Sequence, residues 1–426
     1  MLESVESQST EELEEIFKGY QGPAFSILLW DGRRWRSPGT GSTACTIVFR
    51  SADALRSLIV QASEVTLGEA FLSKAIDVEG DIFSVFAIAE YVFQRPESQR
   101  RRILEFIAGV LSRIGQRWKQ GKLHSMGRDR AAISYHYDQP VDFYEPWLGP
   151  SLAYSCAYFQ SADDPIDVAQ TNKLELICRK LRLQPRDRFL DIGCGWGSLV
   201  LHAGSRHNAY AEGITLSREQ ASVATARIAA ARLTQSCKVE LLDYRKATSR
   251  LESFDKIASV GMFEHVGLKN LPLYFQIAHR LLKPGGVFLN HGIARSHSQR
   301  TRRSSFMDKH VFPDGELATI SEALSAAESA GFEVRDVENL REHYELTLRF
   351  WVEGIKENAD TLLKLVSEAT YRTWLLYMAG SAAAFRRGDI GLYQVLLSRP
   401  DMGNSKLPFT REDWYSSSLS SEEAKV

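Results

Sequence analysis

The feature that most constrains this chain is an apolar strand that breaks into glycines, Phe189-Leu190-Asp191-Ile192-Gly193-Cys194-Gly195-Trp196-Gly197. In a doubly wound α/β sheet, glycines after the first strand remove the Cβ atoms that would hold a ligand off the backbone. The run therefore marks a nucleotide-cofactor pocket, in which Asp191 could hold a positively charged amino-acid end. A tight strand-to-helix turn would use the same glycines, so the motif needs support from the rest of the chain.

From about Lys173 onward helix and strand patterns alternate, which predicts a parallel sheet with crossover helices. The expected strands are 189–191, 209–214, 239–242, 254–260 and 287–290, with Leu281-Leu282-Lys283-Pro284-Gly285-Gly286 as a tight turn into the last. Ser217 would cap the helix after the second strand, with Glu219 and Gln220 in its first turn. A dehydrogenase would close that strand with an acid, whereas here Thr215 stands there. Neutral ribose contacts from Thr215, Ser217 and Gln220 fit instead. Asp243 is placed to accept from an adenine amino group or, alternatively, to cap a helix.

The 426 residues are 44% hydrophobic and 25% charged, enough for two globular domains, and a net charge of −1 gives no global attraction to nucleic acid or membrane. The five cysteines (45, 156, 178, 194 and 237) form no Cys-x-x-Cys pair, which argues against a zinc site or a disulfide framework and for reduced cytosolic thiols. Residues 1–22 are acidic without an apolar core, and no run of about 18 apolar residues follows, so neither a signal peptide nor a membrane span is expected. A small α+β domain is expected over 23–94, with strands 25–30 and 45–49 and helices 52–62 and 82–92. A basic amphipathic stretch follows over 95–135. It fits either a domain-bridging helix or a surface meeting anionic phospholipid. The catalytic domain is expected over 136–415, and a disordered tail over 416–426.

The order of elements, with Leu-Lys-Pro-Gly-Gly before the fifth strand, resembles the class I methyltransferases that use S-adenosylmethionine. Five words narrow this: Tyr154-Ser155-Cys156-Ala157-Tyr158-Phe159, 191–197, Thr215-Leu216-Ser217-Arg218-Glu219-Gln220, Ser259-Val260-Gly261-Met262-Phe263-Glu264-His265-Val266-Gly267, and Phe288-Leu289-Asn290-His291-Gly292-Ile293. Together they resemble the cyclopropane fatty acid synthase family over about 136–399. Residues 24–130 more loosely resemble the N-terminal domain of its longer bacterial members, best at Val78-Glu79-Gly80-Asp81-Ile82.

The resemblance implies a Rossmann-like, mixed seven-stranded sheet with a smaller N-terminal domain. It also implies transfer of the S-adenosylmethionine methyl to a cis double bond of an unsaturated phospholipid acyl chain. An alkene is a poor nucleophile, so such a site must align it and exclude water. The resemblance implies bicarbonate as the base for ring closure, held by Cys156, Glu264, His291, Ile293 and Tyr344, the last within Glu342-His343-Tyr344-Glu345-Leu346-Thr347. Taken singly, Cys156 also reads as a small buried apolar residue, and His291 or Tyr344 as a satisfied core polar group. His265 is read as structural.

Cofactor contacts are expected from Tyr137 (a lid, or plain packing), Tyr154, Ser155, Asp191, Gly193, Gly195, Gly197, Thr215, Ser217, Gln220, Asp243, Tyr244 and Arg245. Ser381 stands where the family has a late cysteine; direct methyl transfer needs no thiolate. The cationic stretch Arg295 to Lys309 fits phosphate headgroups or a solvated loop. Also expected are peripheral attachment to the inner face of the membrane, a homodimer through the N-terminal domain, and no nucleic-acid partner. Methyl-branched or methylene products, an amine N-methyltransferase, and a lipid-binding protein without activity are the alternatives.

Overall fold

The computed structural model describes residues 11–60, 63–94, 139–297, 306–311 and 315–415. The chain divides into two compact units, one of Met1–Leu123, Arg302–Asp314 and Ile355–Ala384, the other of His124–Thr301, Gly315–Gly354 and Phe385–Val426. The sequence-based boundaries differ, since they place all of 136–415 in one domain. The physical reason is visible at Arg372, on the helix Glu368–Arg387, whose buried guanidinium donates to Phe71 O at 2.7 Å, Ile76 O at 3.1 Å and Asp77 Oδ1 at 3.1 Å. It also lies 3.9 Å over the Phe71 ring. A buried cation is tolerated only with such acceptors, so these bonds fix the segment to the small unit.

The small unit is built on strands β1 (Pro23–Leu28), β2 (Arg34–Arg36), β3 (Thr40–Phe49) and β4 (Ile76–Gly80), in the order β2-β1-β3-β4. Only β1 and β3 run parallel. Phe17, Tyr20, Phe25, Trp35 and Phe49 form its aromatic core. The expected helices are found as Ala52–Val60 and Ser84–Gln94, and Ser63 caps a further one, Glu64–Leu72. Gly80, at φ 92°, ends β4 where a Cβ would lie 2.8 Å from the Ala44 carbonyl oxygen. The basic stretch 95–130 and Tyr137 lie outside the described residues.

The larger unit carries β5 (Arg188–Ile192), β6 (Tyr210–Thr215), β7 (Cys237–Leu241), β8 (Phe254–Val260), β9 (Leu282–Arg295), β10 (Glu333–Asn339) and β11 (Ile390–Ser398). Their order is β10-β11-β9-β8-β5-β6-β7. β5 to β9 are parallel, and β10 and β11 close one side antiparallel. Strands buried on both faces need no alternation, and β5 is apolar or buried nearly throughout. The expected turn at 281–286 is instead a bulge within β9: Phe254 pairs with Leu282 but Lys256 with Val287. Gly285, at φ 78°, sits in that bulge and donates to Arg399 O at 2.6 Å.

β5 pairs with β6 on one side and β8 on the other, so the chain order reverses there. Ligands of doubly wound sheets bind outside the carboxyl ends of strands at such a point.

Candidate active site

A cleft opens at this reversal, lined by the turn after β5, the ends of β6 and β8, and the segment Leu152–Ser155. Of the expected cofactor residues, Tyr154, Ser155, Asp191, Gly193, Gly195, Thr215, Gln220, Tyr244 and Arg245 line it. Gly197 does not; at φ 82° it opens the helix Ser198–His207, and a Cβ there would lie 3.0 Å from Ala224 Cβ, so its role is close packing. Ser217 is likewise absent from the wall. Its Oγ accepts from Gln220 N at 3.2 Å, the helix cap expected of it. Thr215 Oγ1 donates to Gln220 Oε1 at 2.7 Å, so these two hold one another at the rim.

Asp243 also stays off the wall. It accepts from Arg245 N, Nε and an Nη at 3.0, 2.9 and 2.7 Å, which engages both its oxygens and matches the capping alternative. Burial would raise its carboxyl, but these bonds outweigh burial and hold it below the usual range. His265, read from the sequence as structural, also lines the cleft.

Asp191 is buried and its Oδ1 has no protein partner. Burial pushes its carboxyl up to about 7, against the pull of the Lys173 ammonium. Lys173 is itself driven down to about 8 by burial, and its Nζ donates to Ser155 Oγ at 2.7 Å. Beside it Gln170 Nε2 donates to Ala153 O at 3.1 Å and Ser155 O at 2.9 Å. Both residues sit on the helix Ile166–Leu181 and suspend one wall of the cleft. The sequence reading missed them, yet a signal existed: Ile166, Gln170, Lys173, Ile177 and Leu181 form one helical stripe interrupted by two polar residues.

The glycines fit a close-lying ligand. A Cβ on Gly195, at φ 53°, would meet nothing within 4 Å, so the turn leaves open space above its backbone. With the unpartnered Asp191 oxygen beside it, these residues suit a cofactor that carries an ammonium group.

The second expected set gathers around β9. His291 pairs with Val260, at the end of β8, and Asp191 of β5 pairs with Ala258 two residues earlier on that strand. His291 is fully buried, and burial keeps its imidazole neutral, well below its usual pKa. Gln394 Nε2, from β11, donates to His291 Nδ1 at 3.1 Å. The ring proton therefore sits on Nε2, which has no protein partner.

Glu264 follows β8 in a short 3-10 turn. Its Oε1 accepts from Ile293 N at 2.7 Å, its Oε2 is shut from solvent without a partner, and burial pushes its carboxyl up to about 7. Ile293 N–H, expected to face an anion directly, is thus engaged by Glu264.

Cys156 is buried, its thiol faces Ala157 O at 3.2 Å and Leu340 O at 3.9 Å, and burial drives its pKa upward, so it is a neutral thiol and no nucleophile. Tyr344 lies one turn past Leu340, donating its N–H to Leu340 O at 3.1 Å, with its ring against Phe385 and Trp351. Ser381 falls in the other unit and does not line the cleft. In the cationic stretch, Arg295 pairs with Glu322 and Lys309 with Glu69, while residues 298–305 lie outside the described ones.

Residues 124–395 match the family described as mycolic acid cyclopropane synthetase, and residues 13–99 match a domain of unknown function. A probable fatty acid methyltransferase of Pseudomonas putida is 38% identical over 394 residues, spanning 91% of this chain and 95% of that protein. The cyclopropane-fatty-acyl-phospholipid synthase of Escherichia coli K12 is 38% identical over 264 residues, 62% of this chain and 66% of that protein. Among solved structures, the mycolic acid cyclopropane synthase CmaA1 complexed with SAH and CTAB superposes with a TM-score of 0.59 at 34% identity, covering 63% of this chain and 97% of that one.

Proposed function

The chain belongs to the mycolic acid cyclopropane synthetase family, and from that premise we propose that it transfers the methyl of S-adenosylmethionine to a cis double bond in an unsaturated phospholipid acyl chain and closes a cyclopropane ring. The observation that carries this reading is a set of three buried polar atoms without protein partners, Asp191 Oδ1, Glu264 Oε2 and His291 Nε2, on or just after the adjacent strands β5, β8 and β9. Buried polar atoms are rarely left unpaired, and one left so calls for a ligand or another explanation.

In this reading Asp191 takes the cofactor ammonium while Gly195 lets the cofactor lie against the turn. Bound S-adenosylmethionine supplies an electrophilic methyl. Glu264 Oε2 and His291 Nε2–H form an acceptor and donor pair, which suits a small oxyanion that still carries one proton, such as bicarbonate. The chemistry expected of bicarbonate there is acceptance of the proton lost on ring closure. Gln394 orients the imidazole so that its N–H is presented, and Ile293 N–H fixes the Glu264 carboxyl. The surrounding aromatic wall, in which Tyr154 packs on Trp351 and Trp147, excludes water from the reacting carbons.

Attachment to a lipid surface is part of the proposal; no helix among the described residues is long and apolar enough to cross a membrane. The match over 91% of this chain to a protein named a probable fatty acid methyltransferase favours a second reading, a methyl-branched product from the same first step.

The test is incubation of the purified chain with S-adenosylmethionine and vesicles of monounsaturated phospholipid, followed by gas chromatography and mass spectrometry of the released fatty acids. A chain heavier by one CH2, without its double bond and with a ring, is expected. A branched chain selects the second reading. No modified lipid, despite cofactor binding, refutes both.

A further inference from the structure

Away from the cleft, two helices that border it meet in a cluster of metal-ligand types. The helix Ile166–Leu181 carries Glu175 and Cys178, three residues apart and so on one face, and the helix Ser198–His207 carries His202 and His207. The ligand atoms of Cys178, His202 and His207 all lie within 4.8 Å of one another. Glu175 Oε2 accepts from His202 Nε2 and His207 Nε2, each at 3.1 Å, while Arg179 Nε holds Glu175 Oε1 at 2.8 Å. None of the four lines the cleft. Cys178 is fully buried, and the imidazoles are 10% and 18% exposed, so a small ion has a path in from the histidine side.

We propose that Cys178, His202 and His207 bind one transition-metal ion of the zinc class, with Glu175 completing the set. One thiol, two imidazoles and a carboxylate are the donors of tetrahedral zinc sites, and thiolate with imidazole selects against magnesium and calcium, which prefer all-oxygen shells. A plain packing account explains the carboxylate between two imidazoles, but it does not need a sulfur within reach of both rings.

Binding balances without redox change. Cys178 releases its thiol proton to solvent and forms a metal–sulfur bond. Each imidazole that gives up its Nε2–H···O bond to Glu175 for a metal–nitrogen bond passes that proton through solvent to its own Nδ1, and so stays neutral when ligated. No Cys-x-x-Cys spacing announces the site, because its ligands come from two helix faces.

The consequence is structural. One helix holds the cleft wall through Gln170 and Lys173, and the other begins directly after the glycine turn, so an ion between them would tie together both sides of the cofactor pocket.

The experiment uses the full chain stripped with a chelator, dialysed against micromolar zinc, washed free of excess and measured by plasma mass spectrometry. About one zinc per chain is expected for the wild type and less than about 0.2 for Cys178→Ser and for His207→Asn, with His202→Asn as a third, independent variant. Zinc at a hundredfold excess over its Kd should raise the wild-type melting temperature by about 5 °C and leave the variants unmoved. Cobalt substituted for zinc should show thiolate charge-transfer absorption that Cys178→Ser abolishes. Melting in chelator establishes that each variant folds. A wild type that retains no zinc, or folded variants that all retain as much as the wild type, would overturn the proposal. None of these readouts involves methyl transfer, so the proposal stands or falls apart from the proposed activity.

Discussion

Replacing Glu264 by glutamine should change how stability depends on pH. The carboxyl titrates near 4.5 in an unfolded chain and is pushed up to about 7 in the fold by burial. Between these values the folded state binds the extra proton, so stability is fully present below about pH 4.5, falls as pH rises through the window and levels off above about 7. At 1.36 kcal/mol per unit, the loss between pH 5 and pH 8 works out to about 2.5 kcal/mol. Glutamine keeps an oxygen for Ile293 N–H and cannot ionise, so it removes this dependence. Asp191 and Lys173 titrate in both proteins and cancel in the comparison. Urea unfolding of wild type and Glu264→Gln, without ligands and followed by tryptophan fluorescence, should show the variant gaining about 2.5 kcal/mol on the wild type from pH 5 to pH 8. A gain below about 0.5 kcal/mol would mean that the carboxyl is not desolvated, and the argument for an unpartnered Oε2 would fail.

Two further expectations concern the cofactor side. Gly193→Ala should lower stability by about 2 kcal/mol, because its backbone has φ 83° and a Cβ would lie 2.7 Å from Met262 Cβ. Gly195→Ala, with nothing near its Cβ, should cost at most about 1 kcal/mol yet weaken SAH binding at least about tenfold. Paired melting and calorimetric titrations check this, and equal effects of the two substitutions on both measurements would contradict it. Asp191→Asn keeps the shape and removes the charge, so SAH affinity should drop roughly 10- to 100-fold in calorimetry; an unchanged Kd would remove Asp191 from the ammonium site.

The glycine-rich turn, the five parallel strands and much of the cleft wall were legible because each follows from local pattern: an apolar run, a break and a crossover helix. The β9 bulge was not. A Pro-Gly-Gly sequence suits a turn equally well, and only pairing with β8 and the bond from Gly285 to Arg399 O decides between them. Ser217 and Asp243 read as cofactor contacts or as caps because both roles use the same short polar chemistry, and their bonds to Gln220 N and Arg245 N show the capping role. Gln394 left no local signal at all, since its purpose depends on a histidine 103 residues away.

The sequence by itself determined the class of sheet, the place of its switch point and many of the residue types around the cleft there, because backbone freedom at glycine and apolar periodicity act within a few residues. Tertiary structure alone decided which polar atoms remain unpaired. It buried Asp191, Glu264 and His291 while giving each only part of its hydrogen bonding, sent Ile355–Ala384 to the small unit through Arg372, and set Cys178 beside His202 and His207. Desolvation and donor geometry arise from packing between segments far apart in the chain, and no local pattern encodes them.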